Sequence, residues 1–292
     1  MLSCPNLIIA GNDQPLMKVL FAGDTHGVTG DVIKVVKRAR THKAELIVQL
    51  GDFGFWEHDE MGTTFLNVVN DELARHGLEI WFIDGNHENH DLLNEQYAET
   101  GRVRENIRWL RRGERFELDG VTFCALGGAG STDVSYRTPG VNWWAAEAIS
   151  KVDVGIAAEG GPVDVLLCHD VPTGSPLNRA ERLDQPNWVN TRQVQSRKQL
   201  DAAIKQIRPR LVMHGHMHHA RYSSAWEDYD GTRYPNILSL STTTKGHGNG
   251  RPWVTATVQD GTLVMHNQIR GLRSSGINLL DDTTDKMSRR YS

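Results

Sequence analysis

The sequence contains little cysteine: its 292 residues include only Cys4, Cys124 and Cys168. No CxxC pair occurs, so neither a disulfide framework nor a zinc site built from thiolates is indicated. Three scattered thiols of this kind are typical of a reducing compartment, and we therefore expect a cytoplasmic protein.

Long apolar runs and an excess of positive charge are also absent. No window reaches the ~20 apolar residues that a transmembrane helix needs, and residues 1–15 do not resemble a signal peptide. The 32 Lys and Arg residues are outnumbered by 36 Asp and Glu residues, which gives a net charge of -4. We therefore expect no membrane partner and no broad surface for long nucleic acid, and we interpret the basic run RWLRRGER as a solvated turn.

Short apolar runs alternate with amphipathic segments along the chain. The runs KVLFAGD, ELIVQLGD and LEIWFIDGNH are predicted strands with helices between them. VTFCALGG, VDVLLCHD, RLVMHGH and NILSLS add further strands, and the DG at residues 260–261 lies between two alternating runs that predict a hairpin. The predicted fold class is therefore α/β, with two packed mixed β-sheets flanked by helices.

A single domain of residues 16–270 accounts for these elements. We expect residues 1–15 to be an N-terminal extension and residues 271–292 to be a polar C-terminal tail that is poorly ordered or lies on the surface. The segment 171–193 is rich in Pro, Asn and charge, and we interpret it as a long loop, a kind of segment that is often functional.

Side chains that can bind metal ions follow the ends of five predicted strands. They are Asp24 and His26, Asp52, Asn86 and His87, His169, and His216 and His218. Sites in α/β proteins collect beyond the carboxyl ends of the strands, so these groups can meet in one place. Alternation along a strand would put both ends of DTH, and both histidines of HMH, on one side. Carboxylate, amide and imidazole ligands together predict a metal centre.

Each of these residues also has an ordinary structural interpretation. Asp52 alone could cap a turn, Asn86 could form one, and His169 could be a hydrogen-bonded histidine. Independent coincidences at five strand ends are less probable than one shared site, and we therefore favour the metal centre. Of the other histidines, His214 within a strand and His219 beyond the motif are interpreted as structural. Solvated positions are expected for His42, His58, His76, His90 and His266.

The ordered motifs DTH, GD, GNHE, a lone His and GHMH resemble those of the calcineurin-like metallophosphoesterase superfamily, especially its small bacterial or phage members. The resemblance spans residues 19–218 and implies a four-layer α/β/β/α sandwich. It assigns Asp24, His26 and His218 to one divalent metal ion, Asn86, His169 and His216 to a second, and Asp52 to a bridge between them. It also implies that His87 donates a proton to the leaving oxygen, which the free pKa of histidine permits near neutral pH.

The resemblance implies a hydrolase in which a hydroxide that bridges two metal ions attacks a phosphoester. Mn is the metal that we expect, although Fe, Ni, Zn and Co suit the same ligands. The GDxVDRG block of the serine/threonine phosphatase branch is replaced by GDFGFWE, so its second Asp and its Arg are missing. We therefore expect a phosphodiesterase for small diesters such as cyclic nucleotides. The alternatives are a phosphomonoesterase, protein phosphatase or nuclease of the same superfamily, and, less favoured, a non-catalytic scaffold.

Two aromatic residues, Phe55 and Trp56, take the places of the missing Asp and Arg. With Phe53 they are interpreted as an aromatic rim that stacks on a base or another flat leaving group. The other interpretation is that these rings only pack between helices. His247, in TTKGHGNGR, is a candidate substrate contact. The sequence does not determine the oligomeric state.

Overall fold

The computed structural model describes residues 16–178, 187–227, 233–267, 269–271 and 277–280. The predicted N-terminal extension, residues 1–15, lies outside these ranges, as do residues 179–186 of the predicted long loop and most of the predicted C-terminal tail. Within the described ranges, no helix combines the length and the apolar character that crossing a bilayer requires.

Helices cover the outer faces of the fold. They are α1 (Thr29–His42), α2 (Glu60–His76), α3 (His90–Gln96), α4 (Lys151–Glu159) and α5 (Asn187–Ile207). Residues 187–193, predicted to be the end of a long loop, are therefore helical. The sequence pattern does not predict this part of the helix, because the buried face of α5 includes the polar residues Gln193, Ser196 and Arg197. An apolar helical pattern is therefore missing from its first half.

The strands form two large mixed sheets and one short hairpin. In chain order they are β1 (Met17–Ala22), β2 (Leu46–Gln49), β3 (Glu79–Phe82), β4 (Arg102–Arg104), β5 (Ile107–Trp109), β6 (Arg115–Leu118), β7 (Val121–Leu126), β8 (Val165–Cys168), β9 (Leu211–His214), β10 (Arg221–Ser223), β11 (Trp226–Glu227), β12 (Arg233–Tyr234), β13 (Asn236–Ser239), β14 (Trp253–Gln259), β15 (Thr262–Met265) and β16 (Ile277–Asn278). Among the described residues, one sheet has the order β16-β15-β14-β1-β2-β3-β5-β4 and the other β10-β13-β9-β8-β7-β6.

Three apolar clusters separate four layers. The central cluster lies between the two sheets, where Phe21 of β1 and Phe123 of β7 stack with ring centroids 6.5 Å apart. A second cluster joins the first sheet to α1 and α2, and a third joins the other sheet to α4 and α5. This order of layers confirms the predicted α/β class and the α/β/β/α sandwich.

The predicted hairpin near residue 260 is confirmed by β14 and β15, which pair in antiparallel fashion. Asp260 and Gly261 both have positive φ, 46° and 73°, as the tightest hairpin turns require. The predicted surface tail is wrong for residues 277–280, because β16 pairs with β15 and both Leu279 and Leu280 are buried in the central cluster.

Two polar predictions are corrected by a buried charge network. Arg112, in the run interpreted as a solvated turn, donates to Asp84 (Nη2 to Oδ2, 2.7 Å) and to Asp153 (Nη1 to Oδ2, 3.1 Å). His90, expected to be solvated, is buried with its Nδ1 3.7 Å from Asp84 Oδ2. Both side chains point inward because the unprotonated Asp84 carboxylate, itself fully buried, needs compensating donors.

Candidate metal centre

The loops after β1, β2, β3, β8 and β9 bring the predicted metal ligands together. Among the described residues, three groups have candidate ligand atoms within 4.8 Å of one another: Asp24, His26 and His218; His26, Asp52 and His87; and Asp52, His169 and His216. The groups share His26 and Asp52, so they form one continuous cluster. Asn86 joins it through its neighbour His87, whose N–H donates to Asp52 Oδ1 (3.0 Å).

The ligands lie in turns rather than on strands. Both β1 and β9 end before the motifs, and four of the predicted ligands have left-handed backbone with φ between 48° and 63°: His26, Asp52, His216 and His218. Alternation along a strand, which we used to place DTH and HMH, is therefore the wrong reason for their convergence. Non-glycine residues in this region are strained, and such strain collects at functional sites.

Glycines next to the ligands let side chains approach the backbone. A Cβ on Gly85 would lie 2.2 Å from Asp52 Oδ1 and 2.8 Å from His169 Nε2, and a Cβ on Gly215 would lie 2.3 Å from Asp24 Oδ1. These distances are far shorter than van der Waals contact, so a larger residue at either position would displace a predicted ligand.

Asp52 is the electrostatic centre of the cluster. Its Oδ2 lies 3.3 Å from His169 Nε2, 3.7 Å from His26 Nδ1 and 3.9 Å from His87 Nε2. Burial by itself raises the pKa of Asp52, but the surrounding histidines, with His169 first, hold it well below its usual value. The carboxylate therefore stays ionised, as a bridging ligand must.

Two of the predicted ligand atoms have neither a hydrogen bond nor an ion pair among the described residues. In the part of the chain that the structure describes, Asn86 Oδ1 and His216 Nε2 are buried without a hydrogen-bond partner. Unpaired buried acceptors are costly and rare, which indicates that a ligand is meant to satisfy them. His26 Nε2 and His218 Nε2 face each other at 3.1 Å, a spacing that two metal-binding nitrogens can adopt around one ion. The residues present fit a centre with mixed oxygen and nitrogen ligands.

The orientation of the Asn86 amide is fixed by two residues that the sequence analysis missed. Asn86 Nδ2 donates to Ser131 Oγ (3.1 Å), and Ser131 donates through Oγ and its backbone N–H to the buried Glu147 (2.5 and 3.0 Å). The amide nitrogen is thereby occupied, which leaves the carbonyl oxygen for the centre. Neither residue lies in a motif with ligand spacing: Ser131 ends the segment GGAGS after β7, and Glu147 lies in a short 3-10 helix.

His87 is held by three neighbours. Its N–H donates to Asp52, its carbonyl accepts from Trp56 Nε1, and its ring Nε2 lies 2.6 Å from Arg137 Nη2. Burial lowers the pKa of His87 to about 4, with Asp52 opposing the shift and Arg137 adding to it. The free pKa of histidine therefore does not by itself support proton donation by His87, and this role stays a prediction.

The predicted aromatic rim is wrong for Phe53 and Phe55, because both side chains are fully buried. Phe53 stacks on Phe82 with ring centroids 4.8 Å apart, and Phe55 meets Tyr97 edge to face at 5.6 Å. Neither ring can therefore stack on a substrate without unpacking. Trp56 is half-buried and lies against Gly27, where an added Cβ would approach its ring to 2.5 Å. His247 is exposed, and its carbonyl lies 3.2 Å from Nδ1 of His218. Substrate contacts by Trp56 and His247 stay predictions.

Glu88, the last residue of GNHE, ties two loops of the centre together. The buried carboxyl accepts hydrogen bonds from Gly54 N–H (3.0 Å) and Gly85 N–H (2.5 Å). Burial, followed by the charge of Asp52, raises the pKa of Glu88 to about 8, although the two N–H groups oppose the shift. The loops after β2 and β3 therefore keep their spacing through a side chain that points away from solvent.

Metal binding is expected to release protons at neutral pH. Burial lowers the pKa of His169, but the Asp52 carboxylate outweighs this and raises it to about 10. A histidine ligand must be neutral, so the ion displaces this proton, and metal affinity rises by up to about tenfold per pH unit between about pH 7 and 10. Titration calorimetry with Mn²⁺ in buffers of different ionisation enthalpy measures the released protons. An affinity that does not change with pH would contradict this assignment.

The comparison of the sequence with known families agrees with this geometry. Residues 17–220 match the calcineurin-like phosphoesterases. The chain belongs to this family. Calcineurin-like phosphoesterases depend on a dinuclear metal centre, and the cluster around Asp52 lies within the matched residues.

Solved structures with the same fold include two with low sequence identity. A dimetal phosphatase from Danio rerio is 14% identical, with a TM-score of 0.54, over 91% of this chain and 99% of that chain. The protein TT1561 of Thermus thermophilus is 14% identical, with a TM-score of 0.50, over 86% of this chain and 99% of that chain. Likeness at this identity shows the fold alone. No curated protein matches the sequence.

Proposed function

We propose that this calcineurin-like phosphoesterase is a phosphodiesterase that hydrolyses small phosphodiesters, with cyclic nucleotides as the leading class. The observation that carries the proposal is the position of Asp52, whose carboxylate belongs to two of the three candidate ligand groups. A carboxylate shared in this way suits two ions held side by side.

The chain offers a complete set of ligands for two ions. One ion would be held by Asp24, His26 and His218, the second by Asn86, His169 and His216, and Asp52 would lie between them. When bound, two divalent ions supply positive charge to the phosphoryl oxygens and lower the pKa of an attacking water. We propose Mn²⁺ as the metal, although ligands that mix oxygen and nitrogen also accept Fe, Ni, Zn and Co.

The side chains of the protein have separate tasks in this proposal. Asp24 and Asp52 balance the charge of the ions, and the neutral amide of Asn86 adds a ligand without further negative charge. His87 would give a proton to the leaving oxygen from the open side of the cluster, where its ring is 30% exposed. Phosphate binding raises the pKa of this histidine, because a nearby anion favours the imidazolium.

Two features support a small diester as substrate. The loop after β2 carries Phe55 and Trp56 where the protein phosphatase branch has Asp and Arg, and a diester has less negative charge to neutralise than a monoester. Trp56, half-buried beside His87, offers an apolar surface to a leaving group. We also propose a cytoplasmic location, consistent with the unpaired and buried Cys124 and Cys168.

The protein loaded with Mn²⁺ is expected to hydrolyse bis-p-nitrophenyl phosphate with a higher kcat/KM than p-nitrophenyl phosphate. Both esters release the same leaving group, so the ratio reports how the site treats the extra charge of the monoester. A higher kcat/KM for the monoester would overturn the diesterase proposal.

A phosphomonoesterase is the second candidate, because one observation favours it. The guanidinium of Arg137 lies beside His87, so the site has a cation that the sequence analysis considered missing. A dianionic monoester gains more from such a cation than a diester does. The ratio of the two nitrophenyl esters decides between the candidates.

A further inference from the structure

Arg137 projects into the centre from a part of the chain that carries no metal-ligand motif. It follows the short 3-10 helix Val134–Tyr136, and its side chain is only 5% exposed. Nη2 lies 2.6 Å from His87 Nε2, and Nη1 donates to the carbonyl of Asn86 (3.2 Å). The side chain therefore reaches the edge of the metal cluster rather than solvent.

The contact between Arg137 and His87 joins two groups that both act as donors when charged. A guanidinium has no acceptor atom, so His87 Nε2 must accept here and the ring must be neutral. A phosphoryl oxygen is a stronger acceptor than a neutral imidazole nitrogen, so an anion that enters beside Nη2 would accept from this guanidinium in place of His87. The phosphoryl group is the anion that the neighbouring cluster would present.

We propose that Arg137 binds a non-bridging phosphoryl oxygen of the substrate, taking the place of the arginine that the loop after β2 lacks. This inference rests on the proposed function of the centre. On binding, the oxygen would accept from Arg137 Nη2 in place of His87 Nε2.

Asp133 restrains the guanidinium of Arg137, and Trp56 supports the loop of His87 next to it. Asp133 Oδ1 lies 2.7 Å from Arg137 Nη2, so a partly exposed carboxylate restrains the side chain from its outer side. Trp56 Nε1 donates to the His87 carbonyl, so the residue that stands in the missing arginine's place supports the loop of His87 instead. In this proposal Arg137 binds the phosphoryl group and Trp56 supports the loop of His87, so the two tasks fall to different parts of the chain.

The substitution Arg137→Ala tests the inference through equilibrium binding. Inorganic phosphate is the probe, titrated by calorimetry into protein loaded with Mn²⁺. We expect the Kd for phosphate to rise at least about tenfold in Arg137→Ala, with the Mn²⁺ content unchanged, because a charge-assisted hydrogen bond is lost. Arg137→Lys is expected to recover part of the affinity, since lysine keeps the charge but not the paired donors.

Arg102→Ala serves as the matched control, because Arg102 is an exposed arginine on the edge strand β4. It should leave the Kd for phosphate unchanged. A phosphate Kd for Arg137→Ala within about twofold of wild type would overturn the inference, as would a loss of bound Mn²⁺ that accounts for the weaker binding. In that case Arg137 only supports the Asn86 loop.

Steady-state kinetics of Arg137→Ala distinguish a residue that binds the substrate from one that only supports the Asn86 loop. Arg137→Ala should raise KM for bis-p-nitrophenyl phosphate and lower kcat, whereas a residue that only shapes the loop would change metal loading first. If the wild-type protein hydrolyses none of the esters but still binds phosphate through Arg137, the proposed function fails while the anion site stands. If phosphate binding ignores Arg137 in an active enzyme, only the Arg137 inference fails.

Discussion

Asp52→Asn is expected to lower both the metal content and the turnover of the protein. The carboxylate is shared by two ligand groups, and its Oδ2 is the closest negative charge to His169. Asparagine offers one neutral oxygen in place of two that share a charge, so the two ions lose their common ligand. We expect a loss of turnover of about 10²–10³-fold, the range seen when one preorganised electrostatic group, such as an oxyanion-hole donor, is removed from an active site.

The backbone makes this substitution a clean test. Asp52 has φ of 54°, a left-handed conformation that asparagine adopts more easily than most residues. The side-chain oxygen of asparagine can still accept from the N–H of His87, so the turn should fold as before. Any loss of metal is then due to the missing charge rather than to a distorted loop.

Asp119→Asn is the matched control for Asp52→Asn. Asp119 also has positive φ, 42°, but it lies in the turn between β6 and β7 and belongs to none of the candidate ligand groups. Metal analysis of the two purified variants by plasma mass spectrometry should show a deficit for Asp52→Asn alone. Two bound ions per chain and wild-type turnover in Asp52→Asn would rule out a bridging role for Asp52.

The fold and the convergence of the candidate ligands could be predicted because both follow from local patterns. Buried strands are continuous apolar runs, and the residue after such a run lies at the edge of the sheet, whatever the rest of the chain does. Asp24 and His169 are candidates on this ground, and their role as metal ligands stays a prediction. The backbone conformation of the turns could not be predicted, since no local sequence pattern requires His216 and His218 to be left-handed.

The parts that could not be predicted depend on contacts between distant segments. Phe55 is buried because its ring packs against Tyr97, which follows α3 and lies far from Phe55 in the sequence. Ser131 and Arg137 reach Asn86 and His87 across 45 and 50 residues of sequence. Their types are ordinary for surface turns, so only the tertiary structure connects them with the centre.

His87→Ala is expected to slow the hydrolysis of esters with poor leaving groups far more than that of nitrophenyl esters. A poor leaving group needs a proton as its bond to phosphorus breaks, whereas nitrophenolate leaves without one. We expect a loss of about 10²–10⁴-fold for alkyl phosphodiesters such as cyclic nucleotides, from which an alkoxide departs, and about tenfold or less when nitrophenolate departs. Steady-state kinetics at saturating Mn²⁺ measures both.

Two further variants make the His87 result specific. His87→Asn keeps a polar side chain without a titratable proton and should therefore behave like His87→Ala. His266→Ala removes a histidine at the end of β15, whose partner is Thr257, and should leave both rates unchanged. Equal losses on good and poor leaving groups would contradict proton donation. His87 would then act through its position between Asp52 and Arg137, as a group that holds the phosphoryl oxygen rather than one that protonates the departing alcohol.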